Sequence, residues 1–414
     1  MTLRFVSLRE RRGGIRRAAF RFVLFIGVVS LFADATYEGA RSIVGPYMLV
    51  LGSTATAVGI IAGFGELVGY GLRLVSGRVS DRTRSYWTVT LVGYFINMLA
   101  VPLLALAGTW QVAALLMIAE RAGKAIRNPA RDAMLSHASS QIGRGWAFGL
   151  HEALDQTGAM VGPLLLALVL YLNGSYKEAF ALLLVPAILA LSFLIVARAA
   201  YPNPRDFEPE AVNLEEKLPS VFWLYLLGAG LVAAAYADFP LIAFHFKDVS
   251  LAADSWTPVF YATAMGAAGA AALVLGRLFD RVGIVALIGA LLVSCFFPVM
   301  VFYGGFTIAF VGIILWGIGL GAQESIMKAA VAHMVPSHRR ASAFGMFDFG
   351  FGVTWFVGSA LMGFLYDHSL VALVAFSMSL QVLAVVWILI IGKRIGQGRS
   401  VGSADTKPSV GIAT

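Results

Sequence analysis

Charged side chains occur inside long apolar stretches of this sequence, where an isolated charge is costly. Residues 19–48 form one such stretch. Asp34 and Glu38 are four residues apart, and Glu38 and Arg41 are three apart, so one helix face can hold them all. An ionisable group inside lipid needs a partner or a water-filled cavity, because burying it alone costs a few kcal/mol or more. Such groups can carry a proton or bind a charged solute.

Two further apolar stretches carry charges of the same kind. Glu66 lies near the middle of residues 53–76, between glycines, where a buried acid can hold a proton at neutral pH. Residues 110–134 are the most charged stretch, in which Arg121 and Lys124 lie one helical turn apart. We predict proton coupling at Asp34, Glu38 and Glu66. We predict a solute cavity lined by Tyr37, Arg41, Arg121, Lys124 and Asp238.

A second set of polar residues lies towards the ends of the apolar stretches. We predict that it forms gates whose salt bridges form and break as the protein changes conformation, although purely structural ion pairs remain an alternative. Glu152 and Asp155 are expected to pair with the cations of residues 120–131. His151 can report pH or be a buried, hydrogen-bonded side chain. The predicted gate residues are Gly77, Asp81, Arg82, Arg127, Arg131, Glu152, Asp155, Gly276, Asp280, Arg281, Glu324, Lys328 and Asp348.

The composition is that of a polytopic membrane protein. The chain has 414 residues, of which 59% are hydrophobic and only 13% charged, and its mean hydropathy is +0.81. Charge this sparse leaves no room for a sizeable soluble domain. The net charge of +8 does not indicate nucleic-acid binding, because the Lys and Arg residues fall at helix ends. A single cysteine, Cys295, excludes an intramolecular disulfide and a cysteine metal cluster.

About twelve apolar stretches are long enough to cross a bilayer, which needs about 20 residues each. The predicted spans are 19–48, 53–76, 86–108, 110–134, 145–172, 177–199, 219–247, 255–276, 283–303, 305–333, 342–366 and 369–393. Lys and Arg concentrate in alternate connecting segments, which places both termini in the cytoplasm by the positive-inside rule.

A polar segment divides these spans six and six. Its sequence, YPNPRDFEPEAVNLEEKLPS, is rich in proline and acids and lacks apolar periodicity, so it is typical of a linker. We predict an all-α integral membrane protein with a basic tail (1–18), a six-helix half (19–200), a linker (201–218), a second six-helix half (219–394) and a disordered tail (395–414).

The two halves repeat one another. The segment GRVSDRTRSY at residues 77–86 recurs as GRLFDRVG at residues 276–283, each at the end of an apolar stretch. The tripeptide Ala-Phe-Gly at residues 147–149 recurs at residues 343–345, and in that register Gly162 falls on Gly358. Because both halves begin on the same side, the repeat is parallel. Membrane transporters of this plan bind their substrate between the halves.

These features resemble the major facilitator superfamily. Its loop between helices 2 and 3 follows a pattern of Gly, three residues, Asp, and then basic residues. The first copy matches at Gly77, Asp81, Arg82 and Arg84, and the second at Gly276, Asp280, Arg281 and Gly283. The resemblance implies a twelve-helix transporter that works by alternating access. It also implies that contacts of these loops stabilise the outward-facing state.

A second resemblance concerns the direction of transport. Gly158, Gly162 and Pro163 match part of the fifth-helix pattern of the superfamily's antiporters, while Leu166 and Ala167 stand near the places of its two further glycines. This partial match favours efflux by proton antiport.

We therefore predict a secondary transporter of a small solute in a bacterial-type cytoplasmic membrane. We expect a proton gradient as its energy source, no cofactor, no nucleic-acid partner, contact with the lipid bilayer and a monomeric state. The alternatives are proton-coupled uptake, metal-ion export through Asp34, Glu38 and either His151 or His245, and a non-transporting receptor. An enzyme is disfavoured because no nucleophile, base and orienting group lie at one depth. An ATP-driven pump is disfavoured because the chain lacks a phosphate-binding lysine loop.

Overall fold

The computed structural model describes residues 8–83, 85–139, 144–202, 218–335 and 340–402. Within these ranges the chain forms sixteen α-helices and no β-strand. The first half contains α1 (Leu8–Val50), α2 (Ala55–Thr83), α3 (Tyr86–Leu103), α4 (Trp110–Ser139), α5 (Arg144–Tyr171), α6 (Tyr176–Leu182) and α7 (Leu184–Ala200). The second half contains α8 (Ser220–Ala235), α9 (Phe239–Asp248), α10 (Trp256–Val282), α11 (Val285–Ser294), α12 (Phe297–Tyr303), α13 (Phe306–Ala322), α14 (Lys328–Met334), α15 (Arg340–His368) and α16 (Leu370–Gly402).

These sixteen helices make twelve membrane spans, because four spans consist of two helices each. The pairs are α6 with α7, α8 with α9, α11 with α12, and α13 with α14, the last joined by a π-helical turn at Gln323–Met327. Pro240 and Pro298 lie in the first turns of α9 and α12. A proline is tolerated there because a first-turn N–H has no partner within the helix.

Among the described residues, eleven spans are long and apolar enough to cross a membrane by composition alone. The remaining span, α4, is 30 residues long but carries six charged side chains between residues 120 and 132. It packs against α1, α2, α3 and α5, so these charges face other helices and a cavity rather than lipid.

The structure moves several predicted boundaries. The repeated segments at residues 77–86 and 276–283 lie between predicted spans. They are largely helical, because α2 continues to Thr83 and α10 to Val282. Gly283, with a φ of 61°, ends α10. Helical structure also covers residues 8–18 and 395–402 of the two predicted tails, whereas most of the predicted linker lies outside the described residues.

Close glycine contacts hold equivalent helix pairs together in the two halves. A Cβ atom at Gly162 of α5 would overlap the carbonyl oxygen of Ala35 in α1. A Cβ atom at Gly358 of α15 would overlap the carbonyl oxygen of Ala234 in α8. The sequence repeat pairs Gly162 with Gly358, so the same helix crossing is built twice. The antiporter-like glycines therefore have a packing role between α1 and α5.

We expect Gly162→Ala to destabilise the protein by about 1–3 kcal/mol, because the added methyl group forces α1 and α5 apart. Gly69→Ala is the matched control, since Gly69 also lies inside a helix but a Cβ there meets no atom within 4 Å. Thermal unfolding in detergent measures the difference. Equal melting temperatures for the two variants would contradict the packing role.

The two ends of the bundle differ in how tightly the halves meet. We call the end where α1 begins the tail side, and the opposite end the far side. On the far side, a Cβ at Gly59 of α2 would lie 3.0 Å from the Cα of Gly363 in α15, and Gly45 of α1 abuts Pro240 of α9. On the tail side, a Cβ at Gly345 of α15 would lie 2.7 Å from a side-chain carbon of Leu74 in α2, so the contact there is made by a side chain. Backbone-to-backbone contact therefore seals the far side.

Candidate functional site

A central cavity of about 950 Å³ lies between the halves, on the tail side of the far-side seal. A second cavity of about 500 Å³ lies next to it, nearer the far side. The two share the side chains of Arg41, Glu66 and Arg121. These three residues therefore form the boundary between the cavities, at mid-depth in the bundle.

Arg41 of α1 and Arg121 of α4 both contact one carboxylate. The Arg41 guanidinium donates a hydrogen bond of 3.2 Å to Glu66 Oε1. Arg121 Nη2 also lies 3.2 Å from that oxygen, and Arg121 Nε lies 3.5 Å from Glu120. Glu120 additionally accepts a hydrogen bond of 2.9 Å from Asn97. Glu66 is thus the acid at which α1, α2 and α4 meet.

Lys124 faces α1 rather than its helical neighbour Glu120. Its ammonium lies 3.7 Å from Glu38 Oε1 and 3.8 Å from the centre of the Tyr37 ring. A cation over an aromatic face is attracted by the ring quadrupole. The i,i+4 pair that the spacing of residues 120 and 124 allows does not form.

Two acids of this network join the halves. Glu38 accepts a short hydrogen bond from Tyr261 of α10. Asp238 lies 3.7 Å from Arg41 and accepts a hydrogen bond of 2.9 Å from Trp355 of α15. Asp238 lies at the break between α8 and α9, where the backbone is extended, so its side chain enters the interface between the halves.

The network brings four carboxylates close to several cations. The carboxylates in these contacts are Glu38, Glu66, Glu120 and Asp238, and the cations are Arg41, Arg121 and Lys124. Arg73, which also lines the central cavity, adds a further cation that attracts Glu66. A proton or a cationic group of a ligand must therefore compete with these cations for a carboxylate.

Asp34 occupies a different place from the other predicted proton carriers. It is buried, lines neither of the two cavities, and its Oδ1 has no hydrogen-bond partner among the described residues. Its helix packs against α5 at this level, where Gly158 contacts Leu31. Asp34 therefore does not line the central cavity, whereas Glu38 and Glu66 do.

The predicted gate residues on α4 are buried in the first half. Arg127 is wholly buried with its guanidinium 4.1 Å from the centre of the Tyr94 ring. Arg131 donates hydrogen bonds to Asp132 at 2.9 Å and to Ser30 at 3.3 Å. Both cations therefore contact partners within their own half.

Glu152 and Asp155 differ in their relation to the α4 cations. Glu152 is exposed and accepts a hydrogen bond from Gln156 at 3.0 Å, while Asp155 lies 3.4 Å from His151 one turn earlier on α5. Asp155 Oδ1 has no hydrogen-bond partner among the described residues, and Arg131 of α4 lies close enough to attract the charge of Asp155. His151 is itself buried and lies 2.9 Å from Ser30.

The remaining gate residues divide between the cavity and the tail side. Asp348 lines the cavity and lies 3.9 Å from Arg73 of α2, which makes an ion pair between the halves. Glu324 also lines the cavity. Arg82 and Arg281 are exposed at the tail-side ends of α2 and α10. The side chains of Asp81, Asp280 and Lys328 lie outside the described part of the structure.

The charge pattern did not point to several residues of the site. Tyr261, Trp355 and Gln323 line the cavity but carry no charge, so they look like ordinary core residues in an apolar stretch. A tyrosine in the middle of a span was the one usable sequence indication, because a buried hydroxyl needs a partner. His245, which lies 2.9 Å from Tyr366, is on the far side and lines neither of the two cavities.

Asp367 was also missed, although it joins the halves on the far side. This acid at the end of α15 accepts hydrogen bonds from the first backbone N–H groups of α2, at 3.1 Å from Ala55 and 2.8 Å from Thr56. The Thr56 hydroxyl adds a third at 2.6 Å. A carboxylate at a helix N-terminus is stabilised by the helix dipole and by unpaired N–H groups.

We expect Asp367→Ala to open the far side, because each lost hydrogen bond to a charged group contributes about 1.5–3 kcal/mol. A single cysteine at Ala62, which lines the smaller cavity, reports this opening in a Cys295→Ser background. Its rate of labelling by a membrane-impermeant maleimide from the far side should rise at least about tenfold.

The control for this experiment is Glu178→Ala. Glu178 is also a far-side acid, but it accepts its hydrogen bond from the backbone N–H of Ser175 in the same half, at 2.6 Å. Its removal should leave the labelling rate unchanged. Equal rates in the wild type and Asp367→Ala would show that Asp367 does not hold the halves together.

Comparison with known proteins decides the family. The model of the Major Facilitator Superfamily matches residues 23–327 and 239–410. The chain belongs to the major facilitator superfamily. An uncharacterized protein of Mycobacterium tuberculosis is 42% identical over 387 residues, covering 91% of this chain and 95% of the relative. An uncharacterized MFS-type transporter of Methanocaldococcus jannaschii is 25% identical over 366 residues, covering 84% of this chain and 89% of the relative.

Solved structures of this superfamily share the fold. The peptide transporter POT in complex with sulfate superposes with a TM-score of 0.72 at 13% identity, covering 91% of this chain and 95% of POT. The nucleoside transporter NupG superposes with a TM-score of 0.67 at 14% identity, covering 90% of this chain and 98% of NupG. The predicted twelve-helix fold in two halves is confirmed, and the protein is a multi-pass membrane transporter of this superfamily.

Proposed function

We propose that this transporter exports a small organic solute in exchange for protons, by alternating access between its two halves. The observation that carries the proposal is the charged network between the halves. Glu38 bonds to Tyr261, and Arg41 faces Asp238 at 3.7 Å, so a change in protonation or ligand binding alters the contacts that join the halves.

The carboxylates of the network support exchange with protons. Glu38 or Glu66 can be neutralised either by a proton or by a cationic group of the solute. Because the two compete for the same negative charge, binding of one favours release of the other. This competition is the requirement for antiport.

The direction of export rests on the partial match of Gly158, Gly162 and Pro163 to the antiporter pattern. The positive-inside rule assigns the tail side to the cytoplasm, since Arg16, Arg17, Arg82 and Arg281 lie there. The cavity lies on that side of the far-side seal, so in this state it exchanges solute with the cytoplasm. In export, the far-side contacts of Asp367 and the glycines break when the solute is released outside.

Inside-out membrane vesicles test this proposal. Respiration acidifies their interior, and addition of an exported solute should release protons from wild-type vesicles but not from vesicles without the protein. A solute-dependent proton movement in the opposite direction would favour uptake by symport instead. Solute flux that is independent of the proton gradient would overturn coupling.

A further inference from the structure

The two walls of the central cavity differ in chemistry, and the division follows the two halves. The first half contributes most of the charge, from Glu38, Arg41, Glu66, Arg73, Arg121 and Lys124. The second half contributes most of the rings, from Tyr261, Trp316, Phe347, Phe351 and Trp355. A solute that fills this cavity contacts both walls at once, so it needs a charged end and an apolar end.

The ring-bearing wall is continuous along α15. Phe347, Phe351 and Trp355 are four residues apart, so they form one stripe on the helix. The ring centres of Phe347 and Phe351 lie 5.8 Å apart with 24° between their planes, and those of Phe351 and Trp355 lie 5.5 Å apart. Such a stripe offers ring faces and edges against which a flat apolar group packs.

The charged wall presents groups of both signs within one or two helical turns. Among the described residues, neither Arg121 nor Lys124 makes a contact that meets hydrogen-bond geometry through its side-chain nitrogens. Their N–H groups can therefore donate hydrogen bonds to a carboxylate. Glu38 and Glu66 lie beside them and can accept an ammonium group.

A solute with a single charge fits this wall poorly. A solute anion that binds Lys124 takes the place of Glu38 beside that ammonium group. A solute cation that binds Glu66 takes the place of Arg41 or Arg121 beside that carboxylate. In either case one buried side chain is left without its counter-ion, which is costly. A solute that brings both charges replaces both partners, and its ammonium group is the one that competes with the proton.

We infer that the substrate is a zwitterion with a ring-bearing body. Its carboxylate lies against Arg121 and Lys124, its ammonium group against Glu38 and Glu66, and its ring against the α15 stripe. This inference rests on the proposed function, because it assigns the substrate class of the same cavity.

A matched set of four compounds tests the inference by isothermal titration calorimetry on the purified protein in detergent. Tryptophan carries both charges and a ring, tryptamine lacks the carboxylate, indole-3-propionate lacks the ammonium group, and alanine lacks the ring. Tryptophan should bind at least about tenfold more tightly than each of the others, since loss of one buried charge partner costs more than 1.4 kcal/mol. Equal or tighter binding of tryptamine or indole-3-propionate overturns the inference, as does a lack of binding by all four.

Two variants of α15 locate the bound ring. Phe351→Ala should weaken tryptophan binding about tenfold or more, because the indole loses a stacking partner. Phe364→Ala is the matched control, since Phe364 lies on the same helix but is exposed and does not line the cavity. An equal effect of both variants, or of neither, overturns the position of the ring.

The test separates this inference from the proposed function. Proton-coupled flux of some other solute, without tryptophan binding, leaves the function in place and overturns the substrate class. Tryptophan binding that follows the expected order, without proton-coupled flux, supports the class and overturns the coupling.

Discussion

Arg41→Met is expected to reduce solute transport by about 100-fold or more. Arg41 is the cation that Glu66 and Asp238 share across the halves, at 3.2 Å and 3.7 Å. Without it, two buried carboxylates lose a counter-ion, and breaking a buried pair in this way costs about 3–5 kcal/mol. Initial rates of solute uptake into proteoliposomes measure the effect.

The control for this prediction is Arg73→Met. Arg73 is also an arginine of the cavity, but it is more exposed, and its partner Asp348 is 3.9 Å away. Ion pairs in contact with water contribute about 1 kcal/mol or less, so transport should fall less than about tenfold. Transport by Arg41→Met within about fivefold of the wild type would contradict the role of Arg41.

A double variant distinguishes a folding defect from a transport defect. Asp238→Asn removes one of the two acids that Arg41→Met leaves without a counter-ion. The double variant should therefore recover part of the thermal stability lost by the single variant. It should not recover coupled transport, because the contact between the halves is still absent.

The second large effect is expected for Glu38→Gln. Glutamine keeps the size of the side chain and an oxygen that can accept the hydrogen bond from Tyr261, but it cannot carry a proton. Solute-dependent proton flux should fall by about 50-fold or more. At saturating solute, exchange of labelled for unlabelled solute needs no proton movement and should stay within about threefold of the wild type, whereas half-maximal exchange should need more solute because the ammonium group loses a charged partner.

Glu152→Gln is the matched control for this substitution. Glu152 is also an acid of the first half, but it is exposed and bonds to Gln156 instead of lining the cavity. Its replacement should leave both proton flux and exchange unchanged. Loss of exchange at saturating solute together with proton flux in Glu38→Gln would contradict a role of Glu38 in proton coupling, because exchange itself moves no proton.

The sequence was sufficient for the architecture because each feature was local. We could recognise these features without knowing which helices touch: the twelve apolar stretches, the acids inside them, and the repeated segments at 77–86 and 276–283. The position of Glu38, Glu66, Arg121 and Lys124 at one cavity also agrees with their mid-span location.

The partners of these residues could not be predicted, because they come from distant parts of the chain. Arg41 pairs with Glu66 and Asp238 rather than with Glu38 on its own helix face. The contact of Asp367 with Thr56 spans 311 residues. Pairings within one helix can be listed from spacing, but pairings between helices depend on how the spans are arranged in the bundle.

Uncharged residues of the site were the hardest to recognise. The α15 rings have the apolar character and helical spacing of a core stripe, and their exposure to a cavity is a property of the assembled halves. Asp34 illustrates the reverse case. It was selected as a charge inside a span, yet it lies against α5 and away from the cavity.

The most direct test of this mechanism is solute-dependent proton movement in proteoliposomes that contain a pH-sensitive dye. We expect an added solute to drive proton flux in the opposite direction through the wild type, and we expect the flux to be lost in both Glu38→Gln and Arg121→Ala. Undiminished coupled flux in both variants would contradict the assignment of this network as the coupling site.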